Sequence, residues 1–330
     1  GADWVQERQG ALHPSKPPRE VAQDFLANPH PELPELETVV TTPVFTAWGQ
    51  LVTAAGYDQP SRLWYAPAPG FSLGPLPDTP TDSEVEAALR ILTEDLLVDF
   101  EFAAESDQAH ALAALLLPFV RRLIDGPTPI HLLEAPTPGS GKSLLADLIA
   151  IVTLGRSSEA TTVTRNEDES RKKLTAILSR GHPVVVIDNV QGGLESAQLA
   201  AAITAERWSD RILGKTQMVE FPNRALWLVT GNNPKLSMEI ARRCVRIRLE
   251  PQEERPWERT RFKHNPIRGW AREHRTELVR ALLTLVQSWL AAGRPAGAKT
   301  LGAFETWAAT LGGILHHVGV RDFLADTAEF

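Results

Sequence analysis

One short glycine-rich turn constrains what this chain of 330 residues can fold into more than any other feature. The turn has the sequence PTPGSGKS at residues 136–143. It follows the apolar run IHLLEA and precedes the helical stretch LLADLIAIVTLG. Gly139 and Gly141 allow backbone N–H groups to turn inward around an anion, and the N-terminus of the helix adds positive charge. This order of strand, turn and helix predicts a phosphate-binding loop at the edge of a parallel sheet.

The residue types in this turn indicate which group each of them contacts. Lys142 is expected to reach the β- and γ-phosphate oxygens of ATP, and the Ser143 hydroxyl is expected to bind Mg²⁺. The glycine that opens the usual pattern is replaced by Pro136. ATP and Mg²⁺ are the expected cofactors, and the expected nucleotide contacts are Pro138, Gly139, Ser140, Gly141, Lys142, Ser143 and Leu144.

A second apolar run, VVVI, ends in an acidic residue, Asp188. A carboxylate at the end of a buried strand beside a phosphate loop commonly holds the metal, so Asp188 is expected to share Mg²⁺ with Ser143. The next residue is Asn189, where a catalytic glutamate commonly stands, and an amide cannot take a proton from water. The sequence leaves the general base open between Glu134, Glu195 and Asp188 itself.

A third apolar run, ALWLV, leads into the polar sequence TGNNP. An amide at the tip of this strand can hydrogen-bond the γ-phosphate or the attacking water, so Asn232 and Asn233 are expected to sense the nucleotide. The alternative is that Asn-Asn-Pro simply makes a turn. The two preceding motifs favour the sensor.

Two arginines, Arg242 and Arg243, precede a fourth apolar run, CVRIRL. Alternation along this run places its aliphatic side chains on one face and its arginines on the other. An arginine offered to the nucleotide of a neighbouring subunit would stabilise charge in the transition state, and Arg242 and Arg243 are candidates for this role. The alternative is a basic strand edge that faces solvent.

In this order, the four motifs resemble the AAA+ ATPases and, within them, the superfamily 3-type helicases of phages, plasmids and integrated elements. The stretches that carry the resemblance are EAPTPGSGKSLLADLI, VVVIDNV, WLVTGNNPKLS and ARRCVRIRLEP. A softer likeness in GYDQPSRLWYAP and LGAFETWAATLGGILHHVGVRDFL extends it over most of residues 40–325. The likeness is greatest to the helicase-like portions of primase-helicase replication proteins of mobile elements.

The resemblance implies a homo-oligomer, expected to be a hexamer, that acts on single-stranded or forked DNA. In such helicases a β-hairpin before the Asn-ended strand points a basic residue at DNA in the central pore. The runs RIL and MVEF flank Gly214-Lys215-Thr216, which suits a hairpin, so Lys215 and nearby Arg211 are the expected DNA contacts. A surface hairpin without a role in DNA binding is the alternative. Any primase partner is expected to lie outside this sequence.

The pattern along the chain predicts an α/β fold with a P-loop AAA+ core on a parallel sheet. After Pro129, short apolar runs alternate with helical stretches, which is typical of a parallel sheet covered on both faces. The longest predicted helix is GWAREHRTELVRALLTLVQSWLAAG, and a last helical segment is predicted over 301–324. The predicted regions are an extended lead-in (1–37), a small β-containing unit and linker (38–80), a helical segment (81–126), the ATPase core (127–250) and a helical C-terminal domain (251–330).

Charge and aromatic content bear on DNA binding. The net charge is −7, from 34 basic and 41 acidic residues, although residues 241–272 contain ten Lys or Arg against four Glu. This distribution suits either a local basic channel inside an acidic exterior or two oppositely charged solvated faces. Of the nine tryptophans, Trp208 is expected to stack on DNA bases because it lies near Arg211, whereas Trp227, Trp289 and Trp307 are expected to pack in the core.

Other classes of protein are excluded or disfavoured. The single cysteine, Cys244, excludes an intrachain disulfide and a cysteine zinc site. The longest apolar run, 109–120, is too short to span a bilayer, and no signal peptide is recognisable, so a cytoplasmic protein without a membrane partner is expected. The sequence begins Gly1-Ala2 without methionine, which resembles the remnant of a tag and leaves open whether domains precede it.

The motifs together favour an ATP-hydrolysing, ring-forming DNA helicase or translocase in the replication of a mobile genetic element. Two alternatives stay open: an AAA+ protein that loads or remodels replication proteins, and a nucleotide-binding scaffold with little hydrolysis. Pro136 and Asn189 are the departures that speak for the scaffold. DNA-stimulated ATP hydrolysis separates the helicase from both alternatives.

Overall fold

A computed structural model of the chain describes residues 4–8, 10–27, 34–162, 166–211 and 218–326. The first part differs from the predicted extended lead-in, because β1 (Val5–Arg8) pairs antiparallel with β2 (Ala11–Pro14) and α1 (Arg19–Ala27) follows. Pro17 and Pro18, which suggested an extended chain, stand just before the helix, where the missing N–H of proline is tolerated. All side chains described in this segment are exposed, so it adds nothing to the core.

A small β unit follows, as the sequence predicts. Its strands are β3 (Thr38–Val40), β4 (Val44–Phe45), β5 (Leu51–Val52), β6 (Gly56–Asp58) and β7 (Leu63–Tyr65). Strand β7 pairs in parallel with β3 and antiparallel with β6, and β4 pairs antiparallel with β5. The unit has a small core of its own, while Phe45 is buried in the main core and thereby joins the two.

Two helices lead from this unit to the sheet. Helix α2 (Asp82–Arg90) begins after Thr81, whose hydroxyl accepts the Glu84 N–H while the Glu84 carboxylate accepts the Thr81 N–H. This reciprocal cap accounts for the predicted helix start. Residues 91–96 form a turn of π-helix, and α3 (Glu105–Val120) is buried along almost its whole length. Because α3 is apolar all round, it lies inside the fold.

Strands and helices alternate through the next region, as predicted. Its helices are α4 (Lys142–Leu154), α5 (Glu167–Ser179), α6 (Ala197–Thr204) and α7 (Met238–Ala241). Its strands are β8 (Ile130–Glu134), β9 (Ala160–Thr161), β10 (Val184–Val190), β11 (Gly193–Leu194), β12 (Arg207–Arg211), β13 (Met218–Pro222), β14 (Leu226–Gly231), β15 (Lys235–Leu236) and β16 (Cys244–Arg248).

Five of these strands form one sheet, in the order β16-β8-β14-β10-β9, and every neighbouring pair is parallel. Strands β8 and β14 are buried throughout, and β10 is buried up to its polar end. Parallel strands are continuously apolar when helices cover both faces of the sheet. The predicted class, an α/β fold with a P-loop core on a parallel sheet, is confirmed.

The C-terminal region is helical, but the longest predicted helix is in fact two helices. Helix α8 (Ile267–Glu273) ends at His274, and α9 (Arg275–Ala291) begins at the next residue. The break allows the Arg275 guanidinium to donate to backbone carbonyls at the end of α4, among them Val152 at 3.0 Å. A cation is favourable at the C-terminus of a helix, so this contact explains what the break achieves.

The three tryptophans expected to pack in the core are buried, as predicted. Trp307 lies on the last helix, α10 (Glu305–His317), which falls within the segment predicted over 301–324. Trp227 and Trp289 are also buried in the main core. In the part of the chain that the structure describes, no helix is both long enough and apolar enough to cross a bilayer.

His131 in β8 is fully buried, as is His110, and neither ring nitrogen of His131 has a hydrogen-bond partner among the described residues. The ring packs edge-on against Trp307, with 5.8 Å between the ring centroids. Burial lowers the pKa of His131 to about 3, because an imidazolium at this place would lose its hydration. His131 therefore stays neutral in the folded chain under conditions that protonate it in the unfolded chain.

We predict that the free energy of unfolding falls as the pH drops below about 6.5, because the unfolded chain then binds a proton that folded His131 does not. One such group contributes a slope of up to about 1.4 kcal/mol per pH unit. His131→Leu should flatten this dependence without lowering stability at neutral pH, as measured by urea denaturation at several pH values. His316→Gln, at an exposed position, is the control. Equal slopes in the wild type and His131→Leu would contradict the prediction.

Candidate functional site

The turn at residues 136–143 forms a cradle at the carboxyl edge of the sheet, between β8 and α4. Gly139 and Gly141 have positive φ angles of 75° and 92°. A Cβ on Gly139 would lie 3.1 Å from Trp257 Cβ, and a Cβ on Gly141 would lie 3.3 Å from Phe100 Cε1. Both positions therefore favour glycine for backbone conformation and for space. Backbone N–H groups at the start of the 13-residue α4 complete an arrangement that suits phosphate.

Lys142 turns back toward this cradle. Its ammonium donates to the Thr137 carbonyl oxygen at 3.0 Å and to the Ser140 hydroxyl at 2.8 Å. Burial lowers the pKa of Lys142, and the charge of Asp188 partly offsets that effect. Charged phosphate oxygens bind an ammonium more strongly than these two neutral acceptors do, so a nucleotide would readily replace them.

A hydrogen-bonded group of three side chains joins the phosphate loop to two strand ends. Ser143 donates to Asp188 Oδ1 at 2.8 Å, and Thr230 donates to the same oxygen at 2.5 Å. The Thr230 hydroxyl also accepts the Asn189 N–H at 2.8 Å. Because β14 lies between β8 and β10, Thr230 stands between the loop and the acidic strand end. The two predicted metal ligands, Ser143 and Asp188, are thus brought together.

Asn232 and Asn233 follow β14 at the same edge of the sheet, and both are exposed. The preceding residue, Gly231, is the register neighbour of Val190 on β10 and of Glu134 on β8. The two residues therefore follow the sheet edge between the phosphate loop and the end of β10, and their role as a nucleotide sensor stays a prediction. Asn233 has a left-handed φ of 41°, so the residue also takes part in a turn.

The three carboxylates that the sequence leaves open as general base differ in their surroundings. Glu134 is buried, its carboxylate lies 3.6 Å from the Arg246 guanidinium, and burial raises its pKa. Glu195 is exposed just after β11. Asp188 is the carboxylate that contacts the phosphate loop, through Ser143. The geometry therefore brings Asp188, rather than the other two, into the site.

Arg242 and Arg243 lie at the opposite edge of the sheet from the phosphate loop. They precede β16, whose first residue is the register neighbour of Ile130 at the start of β8. The loop follows the end of β8, so five strand residues, about 16 Å, separate the two edges. Arg243 donates to the Glu239 carbonyl oxygen at 2.6 Å, whereas Arg242 is exposed. The structure does not bring either arginine to the phosphate loop of its own chain.

The predicted hairpin consists of β12 and β13, which pair antiparallel over five residues each. Arg211 is exposed at the end of β12, and Lys215, the predicted tip residue, lies outside the described residues. The expectation that Trp208 stacks on DNA is wrong, because its ring is buried and its Nε1–H donates to Thr175 Oγ1 at 2.8 Å. Side chains alternate between the faces of β12, so Trp208 anchors the hairpin to α5 while Arg211 faces outward.

A cavity of about 160 Å³ beside the phosphate loop belongs to the site, although sequence reasoning misses it. The apolar part of its wall is formed by Phe100, Leu144, Phe262 and Ile267. An apolar pocket of this kind next to a phosphate cradle suits a flat aromatic ring. Its residues are too far apart along the chain for any spacing to reveal them.

Together these groups fit a nucleotide with Mg²⁺. The glycine cradle, which a Cβ would crowd, and the Lys142 ammonium suit the phosphates. The hydroxyl and carboxylate oxygens of Ser143 and Asp188 are the hard donors that Mg²⁺ prefers. The cavity suits the base, so the phosphates, the metal ion and the base each have a matching surface.

Comparison with known proteins finds likeness among solved structures. No protein-family model and no curated protein matches the chain. The NrS-1 C-terminal region is 14% identical over 85% of this chain and 63% of that chain, with a TM-score of 0.47. JCV helicase is 16% identical over 72% of this chain and 66% of that chain, with a TM-score of 0.30. A ligand-bound JCV helicase is 18% identical over 72% and 67%, with a TM-score of 0.31.

The chain therefore spans less than two thirds of the length of the NrS-1 chain that it resembles. The JCV structures are described as helicases, the class that the sequence motifs resemble. At these identities and scores, the likeness carries no argument about activity. The case for a particular chemistry rests on the residues of the site.

We predict that Thr230→Val keeps the fold but weakens ATP turnover by roughly 10- to 100-fold, with a higher requirement for Mg²⁺. Valine has nearly the same shape, but it removes the donor that fixes Asp188 and leaves the Asn189 N–H without its acceptor. The measurement is the ATPase rate against Mg²⁺ concentration. Thr284→Val, a buried threonine in α9, is the matched control. An unchanged Mg²⁺ dependence in Thr230→Val would show that the hydroxyl does not organise the site.

Proposed function

We propose that the chain is the ATPase portion of a ring-forming DNA helicase or translocase of the superfamily 3 type, which works in the cytoplasm in the replication of a mobile genetic element. The observation that carries the proposal is the contact between Ser143 and Asp188, which joins a glycine-lined phosphate cradle to an acidic strand end. Hydrolysis of ATP with Mg²⁺ uses this combination of groups.

Each group of the site has a separate task in holding ATP. The backbone of 138–144 and the Lys142 ammonium bind the phosphate oxygens, and the cavity lined by Leu144 takes the base. Ser143 and Asp188 are the residues that would hold Mg²⁺, which supplies positive charge beside the phosphoryl group that is transferred. The site thus orients the nucleotide at both ends.

The remaining polar groups at this edge act on water and on the metal ligand. Asn232 and Asn233 present amides that orient the attacking water without taking its proton. Thr230 holds the Asp188 carboxylate in place by donating to it. Because these polar groups already stand at one edge of the sheet, they need little rearrangement to stabilise the transition state.

The position of Arg242 supports assembly into a ring. It is exposed at the amino edge of the sheet, a strand length away from its own phosphate loop. In a closed ring with head-to-tail contacts, the amino edge of one chain can face the carboxyl edge of the next. Arg242 would then stabilise charge on the neighbour's nucleotide, while Arg243, tied to Glu239, supports the end of α7.

We predict that Arg242→Ala and Lys142→Ala chains are each inactive alone and regain part of the ATPase activity when mixed. A mixed interface pairs an intact phosphate loop with an intact arginine, which is possible if the arginine acts between chains. The measurement is the ATPase rate across mixing ratios, with nucleotide binding by Arg242→Ala checked separately. Arg243→Ala is the neighbouring control and should lose less activity. Assembly of mixed rings without any recovery would contradict a role of Arg242 between chains.

DNA is proposed to contact the hairpin of β12 and β13, with single-stranded or forked DNA as the partner and any primase outside this chain. Arg211 and, on the segment 212–217, Lys215 supply the cations. A chain with a net charge of −7 needs focused contacts of this kind to hold a polyanion. A hexamer would repeat each contact around one strand.

We predict that affinity for single-stranded DNA falls steeply with salt, with a slope of about −0.7 for each phosphate contact. Lys215→Ala and Arg211→Ala should each flatten the slope and remove the stimulation of ATPase by DNA, while basal hydrolysis stays near normal. Fluorescence anisotropy of a labelled oligonucleotide at several salt concentrations measures the slope. Lys299→Ala, at an exposed position after α9, is the control. Salt slopes equal to that of the wild type would show that Lys215 and Arg211 do not contact DNA.

A further inference from the structure

A second cavity, of about 570 Å³, lies at the amino edge of the sheet, away from the phosphate loop. Its wall includes residues 121–126, which precede β8, and residues 222–224, which precede β14. The small β unit contributes Trp48 and Arg62, and the base of the hairpin contributes Arg207. Five arginines and three carboxylates line this cavity. Arg62 and Arg207 are paired with Glu35 and Glu220, which are not part of this lining, so the candidate anion site is the group of Arg122 and Arg224 around Glu37.

One of the five arginines, Arg121, gives the cavity a fixed floor. Its buried guanidinium donates to the carbonyl oxygens of Ile124 and Gly126, each at 2.9 Å, and of Asn223 at 3.1 Å. Burial lowers the pKa of Arg121 to about 10. These hydrogen bonds join the segment before β8 to the segment before β14. They therefore fix the backbone that carries Arg122 and Arg224.

Two of the other arginines share one carboxylate, that of Glu37. Arg122 donates to both oxygens of Glu37, at 3.0 and 2.7 Å, and Arg224 Nη2 lies 2.8 Å from Oε1. Arg122 binds the Glu37 carboxylate in a bidentate way. Arginine binds two oxygens of a phosphate with the same geometry. Two positive charges face one negative charge, so this group keeps a net positive charge toward an approaching polyanion.

Glu37 is suited to being displaced. Its side chain is 42% exposed, and the segment 34–37 that carries it has no regular secondary structure. The pair with Arg224 is exposed on both sides and contributes little to stability, whereas Arg122 is only 11% exposed and its two bonds to Glu37 hold more firmly. An anion that displaces the Glu37 carboxylate therefore has to give Arg122 two equivalent bonds, which the oxygens of a phosphate can do.

An aromatic ring lies in the same cavity. Trp48 is 51% exposed at the turn between β4 and β5, where the Thr46 N–H donates to the Gln50 carbonyl oxygen at 2.8 Å. Arg294 donates to the Trp48 carbonyl oxygen and fixes the turn from outside. An exposed indole beside guanidinium groups is the combination that binds the bases and backbone of single-stranded nucleic acid.

We propose that this cavity is a second binding site for single-stranded DNA, in which a backbone phosphate displaces Glu37 from Arg122 and Arg224 and a base stacks on Trp48. The inference rests on the proposed function in taking DNA as the ligand. Arg207 at the base of the hairpin lines the cavity and Arg211 lies on the same outward face of β12. A DNA strand that contacts the hairpin can therefore continue into the cavity. There the Glu37 carboxylate competes with a DNA phosphate for Arg122 and Arg224.

The test compares two exposed glutamate–arginine pairs, Glu37–Arg224 in the cavity and Glu159–Arg180 outside it. The probe is a fluorescein-labelled oligothymidylate, titrated by anisotropy at several salt concentrations without nucleotide. Glu37→Gln should tighten binding severalfold more than Glu159→Gln, which changes the net charge equally. Arg224→Ala should weaken binding and reduce the salt slope by about 0.7, and Arg180→Ala should not. The double variant Glu37→Gln/Arg224→Ala should lose the gain of Glu37→Gln.

The outcomes separate this proposal from the proposed function. Equal effects of the two glutamate variants, in a chain whose ATPase is stimulated by DNA, would overturn the second site and leave the helicase assignment intact. Tighter binding by Glu37→Gln in a chain without ATPase activity would support the site and remove the assignment. Absence of DNA binding even in Glu37→Gln would overturn the site as well.

Discussion

The Asp188 carboxylate oxygen that accepts from Ser143 and Thr230 is the interaction on which the rest of the site depends. It connects the phosphate loop after β8, the end of β14 and the end of β10, which are separate along the chain and adjacent in the sheet. The parallel strand order places these ends at one edge, and the buried apolar strands keep the edge rigid. Small polar side chains can then be held at hydrogen-bond distance, so the geometry of the proposed ATP site depends on the sheet.

The two edges of the same sheet carry different tasks in this account. The carboxyl edge holds the groups proposed to bind nucleotide and Mg²⁺, and the amino edge holds Arg242, the cavity that contains Glu37 and the segment that leads into β8. Because the length of one strand separates the two edges, the proposed role of Arg242 requires the phosphate loop of a neighbouring chain. The same separation would allow nucleotide and DNA to bind at different edges of the sheet. The β-strands between the edges would then couple the two binding events.

Local motifs could be predicted from the sequence, and long-range contacts could not. Lys142 and Asp188 stand in short patterns whose chemistry is visible in adjacent residues. Thr230 is visible in the sequence as part of the third motif, next to Gly231. Its contact with Asp188 cannot be predicted there, because it depends on β14 lying between β8 and β10. The cavity beside Phe100 joins distant parts of the chain and leaves no spacing to recognise. Trp208 has charged neighbours in sequence and a buried place in space, because alternate residues of a strand face opposite sides.

The central claim is that this site hydrolyses ATP and couples hydrolysis to DNA. The most direct measurement is the steady-state ATPase rate of the chain with and without single-stranded DNA, read beside its native mass. The account predicts Mg²⁺-dependent turnover by an oligomer and a clear rise in rate when DNA is added. Nucleotide binding and assembly without turnover would contradict it and favour a nucleotide-binding scaffold, consistent with Asn189 standing where a catalytic glutamate is common. An ATPase rate that does not change when DNA is added would favour an ATPase that remodels protein partners.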